Sequence, residues 1–262
     1  MSSTTTSIVG NQYGFYFDAG RCVDCKTCTV ACKSWYNTPT GSLKKLRMLE
    51  WESGSWPNVI LSALFAPCYH CANPVCVPPA KGALFKEANY GAVLIDPAQA
   101  TSSALRDAAA ACPYGAIVFD SDATNATADK CTMCVDRLEV GLEPICVMAC
   151  FMRALDFGPM SDLAQKYPGA TSDLTYLDGT KLPSSTQTSP SVLFKPPVDH
   201  QVVVPYDATQ AVTLNAKRDP YPAIYTDPSV LTPKPGVVGR SSLNLKPKSS
   251  ADLMTITQND EG

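Results

Sequence analysis

Positive charge is in short supply in this sequence: 21 Lys and Arg stand against 24 Asp and Glu, a formal net charge of -3. Without a basic run, the chain lacks the electrostatic footprint of a protein that binds nucleic acid or an anionic lipid surface, and both partners are set aside. Long apolar runs are missing as well. The longest, around Val59 to Ala66, falls far short of the roughly 20 residues that cross a bilayer, so no direct membrane insertion is expected. The opening MSSTTTSIVGNQYGF has no charged leader, apolar core or twin-arginine pair, and no export signal is expected. Two locations remain: the cytoplasm, or export in folded form with a signal-bearing partner. A nucleophile-base constellation, a phosphate-cradling glycine loop and a dinucleotide fingerprint are also absent. The chain is therefore expected to be non-catalytic by itself.

Cysteine is what the sequence has in quantity. All 12 lie between Cys22 and Cys150, whereas the segment from there to Gly262 has none but holds more than half of the 22 prolines. Disulfides are set aside, because the chain is neither short nor visibly secreted. Tyr13 to Asp18, Gly91 to Asp96, Gly115 to Asp120 and Ala154 to Phe157 read as short strands. Tyr90-Gly91 marks a hairpin, and Ser102 to Ala111 is expected to be a helix with Thr101 or Ser102 as N-cap. Beyond about Leu163 the chain is rich in Pro, Ser and Thr, yet apolar patches recur at Val192 to Phe194, Val202 to Val204 and Ala223 to Tyr225. That pattern predicts an extended arm wrapping a partner rather than a solvated tail.

The cysteines fall into four groups: Cys22, Cys25, Cys28 and Cys32 in a C-x2-C-x2-C-x3-C run; Cys68, Cys71 and Cys76; a lone Cys112; and Cys131, Cys134, Cys146 and Cys150. A loop with two-residue gaps wraps three corners of a four-iron cubane, and in two-cluster ferredoxins the fourth cysteine of the run serves the other cluster. By that rule Cys22, Cys25 and Cys28 are closed by Cys150, and Cys131, Cys134 and Cys146 by Cys32. Cys68, Cys71 and Cys76 are then closed by Cys112, and no thiol is left over. The alternative is a zinc-binding scaffold with three four-cysteine sites, against which the contiguous first run argues.

In this order the groups resemble the iron-sulfur subunits of the dimethyl sulfoxide reductase family, which have four ferredoxin-type motifs. The likeness covers roughly residues 1–160 and includes YGFYFDAGRCVDCKTCTVACK, CYHCANPVC, ACPYGAI, KCTMCVDRLEVGLEPIC and RALDFGPM. The expected fold class is α+β: two ferredoxin-like cluster-binding halves of short strands and helices (1–160), then the extended arm (161–262). The resemblance implies an electron-transfer subunit in complex with a larger molybdenum or tungsten catalytic subunit, which alone would hold the molybdopterin cofactor. It also implies that the cluster on Cys22, Cys25, Cys28 and Cys150 lies nearest that partner. Two departures stand out. Where the family's second motif ends in Cys-Pro this chain has Ala80 and Lys81, and DPAQATSSALRDAAAACP lacks the three cysteines expected before Cys112. The missing four belong to one cluster, so three [4Fe-4S] clusters are expected, with a helix through Ala104, Leu105 and Ala108 filling the vacated volume. A three-cluster pattern is similar to the small subunits of pyrogallol-phloroglucinol transhydroxylase and related catechol dehydroxylases, which suggests a phenolic substrate for the partner. The other reading is an S-oxide, N-oxide or oxyanion reductase. No strand periodicity in the tail suggests the transhydroxylase's extra immunoglobulin-like domain.

His70, between two ligands, is a candidate to tune a cluster by hydrogen bonding. His200 is expected to be chemically idle. Lys26, Lys33, Lys130 and Arg137 flank ligands and would favour a reduced cluster, but solvated surface charge is the expected reading. For Trp35, Tyr36, Trp51 and Trp56, a partner face and core packing stand equal.

Overall fold

The structure, a computed structural model, describes residues 12–55, 58–198, 245–247 and 249–251. It is an α+β fold of short elements. In chain order they begin with β1 (Tyr13–Asp18), α1 (Thr27–Trp35), β2 (Leu46–Ser55), β3 (Asn58–Pro67), β4 (Leu84–Lys86) and β5 (Val93–Ile95). There follow α2 (Ala104–Ala111), β6 (Val118–Phe119), β7 (Ala128–Asp129), α3 (Val135–Leu138) and α4 (Ile145–Met148). The last are β8 (Leu155–Pro159), α5 (Met160–Lys166) and β9 (Val192–Lys195).

β1 is the middle strand of a three-stranded sheet, with β8 antiparallel on one side and β9 parallel on the other. A strand covered on both faces reads as a continuous apolar run, which is why YGFYFD stands out in the sequence. Phe15 and Phe17 face the main core, and Tyr16 points the other way to pack with Leu163 and Leu193. Gly14 is required by close packing: an added Cβ would stand 2.3 Å from the Ser191 carbonyl oxygen. β2 and β3 form a long hairpin, registered from Leu46 opposite Pro67 to Ser55 opposite Asn58. It delivers Leu46, Met48, Trp51, Leu64 and Phe65 to the same core.

That main core is unusual in its lining. Eight of its buried members are cysteines, packed among aromatic and aliphatic side chains. A second core is dry and built of small residues: Ala80, Ala83, Leu84, Leu105 and Ala108 are almost wholly inaccessible, with Ile117 and Phe119 beside them. It forms where α2 packs against the 3-10 turn Pro78–Ala80. Ala80 is thus packed with the helix face of Leu105 and Ala108.

The hairpin expected around Tyr90-Gly91 is β4 and β5, and the expected helix is α2. Its N-cap is Ser103 instead of Thr101 or Ser102, and no side chain caps it. A boundary at residue 160 is not where the folded body ends. Residues 161–195 belong to it: α5 packs on β1 and β8, Leu174, Tyr176 and Leu182 enter the main core, and β9 completes the sheet. These apolar residues are spaced singly, so they fill the core without helical or strand periodicity. The rest of the expected arm, with His200, Val202 to Val204 and Ala223 to Tyr225, lies outside the described residues, as does Trp56. Further on, Leu245 returns to the main core, and its carbonyl accepts from Arg47 Nη2 at 3.3 Å. Among the described residues no helix is long and apolar enough to cross a membrane.

Candidate metal centres

All twelve cysteines are free thiols. The loop after β1 curls at Asp24 and Lys26, both in the left-handed region at φ 52 and 60, and α1 starts at once behind it. Cys28 and Cys32 then share the buried face of α1, one helical turn apart. The structure brings Cys22, Cys25, Cys28 and Cys150 around one pocket, walled by Phe17, Met48, Phe65 and Leu155. The Ala154 N–H donates to Cys150 Sγ at 3.3 Å.

Cys32, Cys131, Cys134 and Cys146 form a second convergence, each of Cys32, Cys131 and Cys146 feeling the charge of Cys134. Met133 and Cys134 are again left-handed, and the Met133 N–H donates to Cys131 Sγ at 3.4 Å. In the third, Cys71 feels Cys68, Cys112 and Cys76, and Cys112 feels Cys68. There the left-handed residue is His70, whose N–H lies 3.5 Å from Cys68 Sγ. The sets are in sequence through space. Cys28 of the first acts on Cys146 of the second, and Cys68 of the third acts on Cys131 of the second.

Burial pushes the thiols up, to about 11 for Cys22 and to about 12 for Cys28, Cys32 and Cys76. Metal ligation needs the thiolate, so loading these sites releases protons and supplies the charge compensation that burial alone lacks. Among the described residues no three His, Cys, Asp or Glu side chains gather around a single metal ion.

His70 is wholly buried. Its Nδ1 accepts the Val93 N–H at 2.9 Å, which leaves the ring proton on Nε2, and Nε2 has no partner. Burial holds its pKa well below 6.5, so the ring is neutral. An orphaned buried donor beside Cys68 and Cys71 is what a sulfur-rich anionic group at this site would satisfy.

The flanking cations divide. Lys33 reaches the surface and donates to the Pro39 carbonyl at 3.0 Å, as solvated charge should. Lys26 is held between Asp24 and Glu50. Lys130 and Arg137 correct the surface reading, since each is only 2% exposed. Arg137 Nε donates to the Glu143 carbonyl at 2.7 Å, and its guanidinium lies over the Trp35 ring. Lys130 Nζ donates to the Val93 carbonyl and, at 2.8 Å, to that of Cys131. Trp51 is core, and Trp35 is half exposed with Nε1 donating to Asp136, as the Tyr36 hydroxyl also does. Sequence reading missed Arg47, which is buried and donates to the carbonyls of Tyr114 and Gly115 beside Cys112. The available signal was a lone arginine inside the apolar strand LRMLEW.

Converging thiol sets, amide donors aimed at sulfur and an orphaned imidazole donor define an iron-sulfur electron-transfer protein. Residues 61–160 match the family model described as a 4Fe-4S dicluster domain. The chain is 35% identical over 194 residues to a chain of the anaerobic dimethyl sulfoxide reductase of Escherichia coli, covering 71% of this chain and 89% of that one. It is similar to a subunit of the tetrathionate reductase of Salmonella typhimurium, 35% identical over 58% of this chain and 60% of the relative. Against a subunit of the sulfite dehydrogenase of Allochromatium vinosum the identity is 32%, over 58% and 70%. The chain belongs to the iron-sulfur subunits of the dimethyl sulfoxide reductase family.

Proposed function

We propose that this subunit conducts electrons through three four-iron clusters, held by Cys22, Cys25, Cys28 and Cys150; by Cys32, Cys131, Cys134 and Cys146; and by Cys68, Cys71, Cys76 and Cys112. The observation that supports this reading is the convergence of the thiols in three sets, of which the first and the third each act on the second. Bound there, the clusters supply one-electron transfer. The chain's own residues fix the thiols, exclude water through the surrounding aromatic core, and offer amide donors that favour the sulfur anion. His70 adds a donor from Nε2 to the third set and raises its potential. On this reading the body consists of two ferredoxin-like halves.

The partner is a larger molybdenum- or tungsten-pterin subunit, which holds the catalytic centre and docks at the Cys22 end. Exposed Val23, Val30, Phe151 and Met152 lie on or beside the loops and helix of that set, an apolar rim suited to a protein neighbour. Relatives named for S-oxide, tetrathionate and sulfite chemistry support a reductase or dehydrogenase complex. A phenolic substrate rests on the three-cluster resemblance alone, and the S-oxide or oxyanion reading fits the relatives' names as well.

Iron and acid-labile sulfide analysis of the complex tests the reading. About twelve irons attributable to this subunit are expected. A colourless, zinc-loaded chain overturns the account, and recovery near sixteen irons overturns the loss of a fourth site.

A further inference from the structure

The three thiol sets sit in different electrostatic surroundings. Around the first, Cys22 feels the Asp24 carboxylate, and Lys26, which lines the pocket, is shared between Asp24 and Glu50. Around the second, cations and carboxylates alternate: Lys45 pairs with Asp129 beside Cys32, Arg137 and Asp136 both act on Cys134, and Lys130 acts on Cys131 as well as on the third site. The third differs. Lys130 acts on Cys76 and Cys112, Arg47 lies beside Cys112, and Lys86 acts on Cys71 and Cys68 while donating to the Cys71 carbonyl at 2.7 Å. Among the described residues none of these three cations has a carboxylate within ion-pair distance. No carboxylate figures among the leading charges on Cys71, Cys76 or Cys112.

Lys130 and Arg47 are buried and satisfied only by carbonyl oxygens, which is costly unless an anion compensates them, whereas Lys86 is exposed and screened by solvent. In a site shielded from water such a cation acts at nearly full strength, whereas a paired one largely cancels. Adding an electron to a cluster adds one negative charge, and net surrounding charge is a principal determinant of cluster potential.

We propose that Lys130, Arg47 and Lys86 make the site of Cys68, Cys71, Cys76 and Cys112 the highest-potential site of the chain. The first electron to enter, from any low-potential donor, comes to rest there. The subunit thereby holds a charge at the end away from the carboxylate-flanked first site, and Lys130, which also touches the carbonyl of Cys131, couples that store to the middle site. This inference rests on the cluster assignment above.

The test is an anaerobic dithionite titration of the intact cluster-loaded complex, followed by electron paramagnetic resonance and paired with iron analysis. Lys130→Gln keeps a donor but removes the charge. It is expected to retain wild-type iron and to lower the reduced-to-oxidised ratio of the first-reduced cluster about tenfold at fixed potential, some 59 mV for one electron. Lys130→Arg restores the wild-type value, and surface-accessible Lys86→Met shifts the same signal in the same direction by less. If the first-reduced signal keeps its potential in both Lys130→Gln and Lys86→Met at unchanged iron content, the proposal is overturned. It is equally overturned if Cys112→Ser abolishes a different signal from the first-reduced one. A wild-type complex without about twelve irons for this chain overturns the assignment instead.

Discussion

Two regions of the molecule solve the same packing problem with opposite chemistry. In the main core, short loops and helices converge on buried thiols, and the space between them suits an inorganic group. In the second core, a comparable helix and turn converge on Ala80, Ala83, Leu105 and Ala108, and hydrocarbon fills the space directly. The first region carries the cost of desolvated thiols and buried cations, which ligation offsets. The second holds itself together by apolar burial and close packing alone. Buried thiols and buried hydrocarbon thus occupy comparable positions between short helices and turns in the two regions.

The largest effect expected from breaking this contrast is in the thiol-lined core. Cys146→Ser should lose about four of about twelve irons and abolish electron transfer to the catalytic partner, read by iron analysis and turnover of the complex. Leu105→Ala strikes the dry core instead. It should lower stability by about 2–5 kcal/mol in denaturant unfolding while the iron count holds, because the hole is hydrocarbon-lined. Gly115→Ala comes next. Gly115 has φ +56, and an added Cβ would stand 2.2 Å from the Leu245 carbonyl oxygen. The variant should release the segment around Leu245, at about 1–3 kcal/mol, detectable as faster proteolysis there. Ala80→Cys sharpens the comparison from the other side: one thiol in a dry core lacks three partners, so iron should not rise.

The smallest effect lies away from both cores. Burial raises Asp156, but donors from Lys166 and Tyr167, each at 2.6 Å, outweigh it and hold the carboxyl below the usual range. Its contribution is therefore present above the unfolded value near 3.9 and lost as pH falls through the depressed one. The pair is solvent-screened, so Asp156→Asn should cost under about 1 kcal/mol at neutral pH, an effect that fades as the pH falls through the depressed value.

Much of this was readable in the sequence where one local signal dominated. β1 announces itself by continuous aromatics, α2 by an alanine run, and the β4–β5 hairpin by Tyr90-Gly91. Ligand spacing, by contrast, hides secondary structure. In α1 and α4 the buried face is formed largely by Cys28, Cys32 and Cys146, and cysteines in a ligand-like spacing do not read as the apolar stripe of a helix. The β2–β3 hairpin escaped because both strands are partly buried on each face, so polar and apolar residues do not alternate cleanly. The candidate ligands were legible from spacing, but the charges around them were not. Whether Lys130 is solvated depends on Val93, far away in sequence, and neighbours in the chain carry no trace of that contact.

The placement of β9 beside β1 has a consequence for biogenesis. Phe15 pairs next to Val192 and Phe17 next to Phe194, so the central sheet cannot close on the ribosome until the chain has emerged past Lys195. Cys150, the last thiol, is out well before then. Such non-local parallel pairing is slow to form. The last cysteine has therefore emerged while the sheet is still open, and the strand that completes it comes from a part of the chain that holds no cysteine.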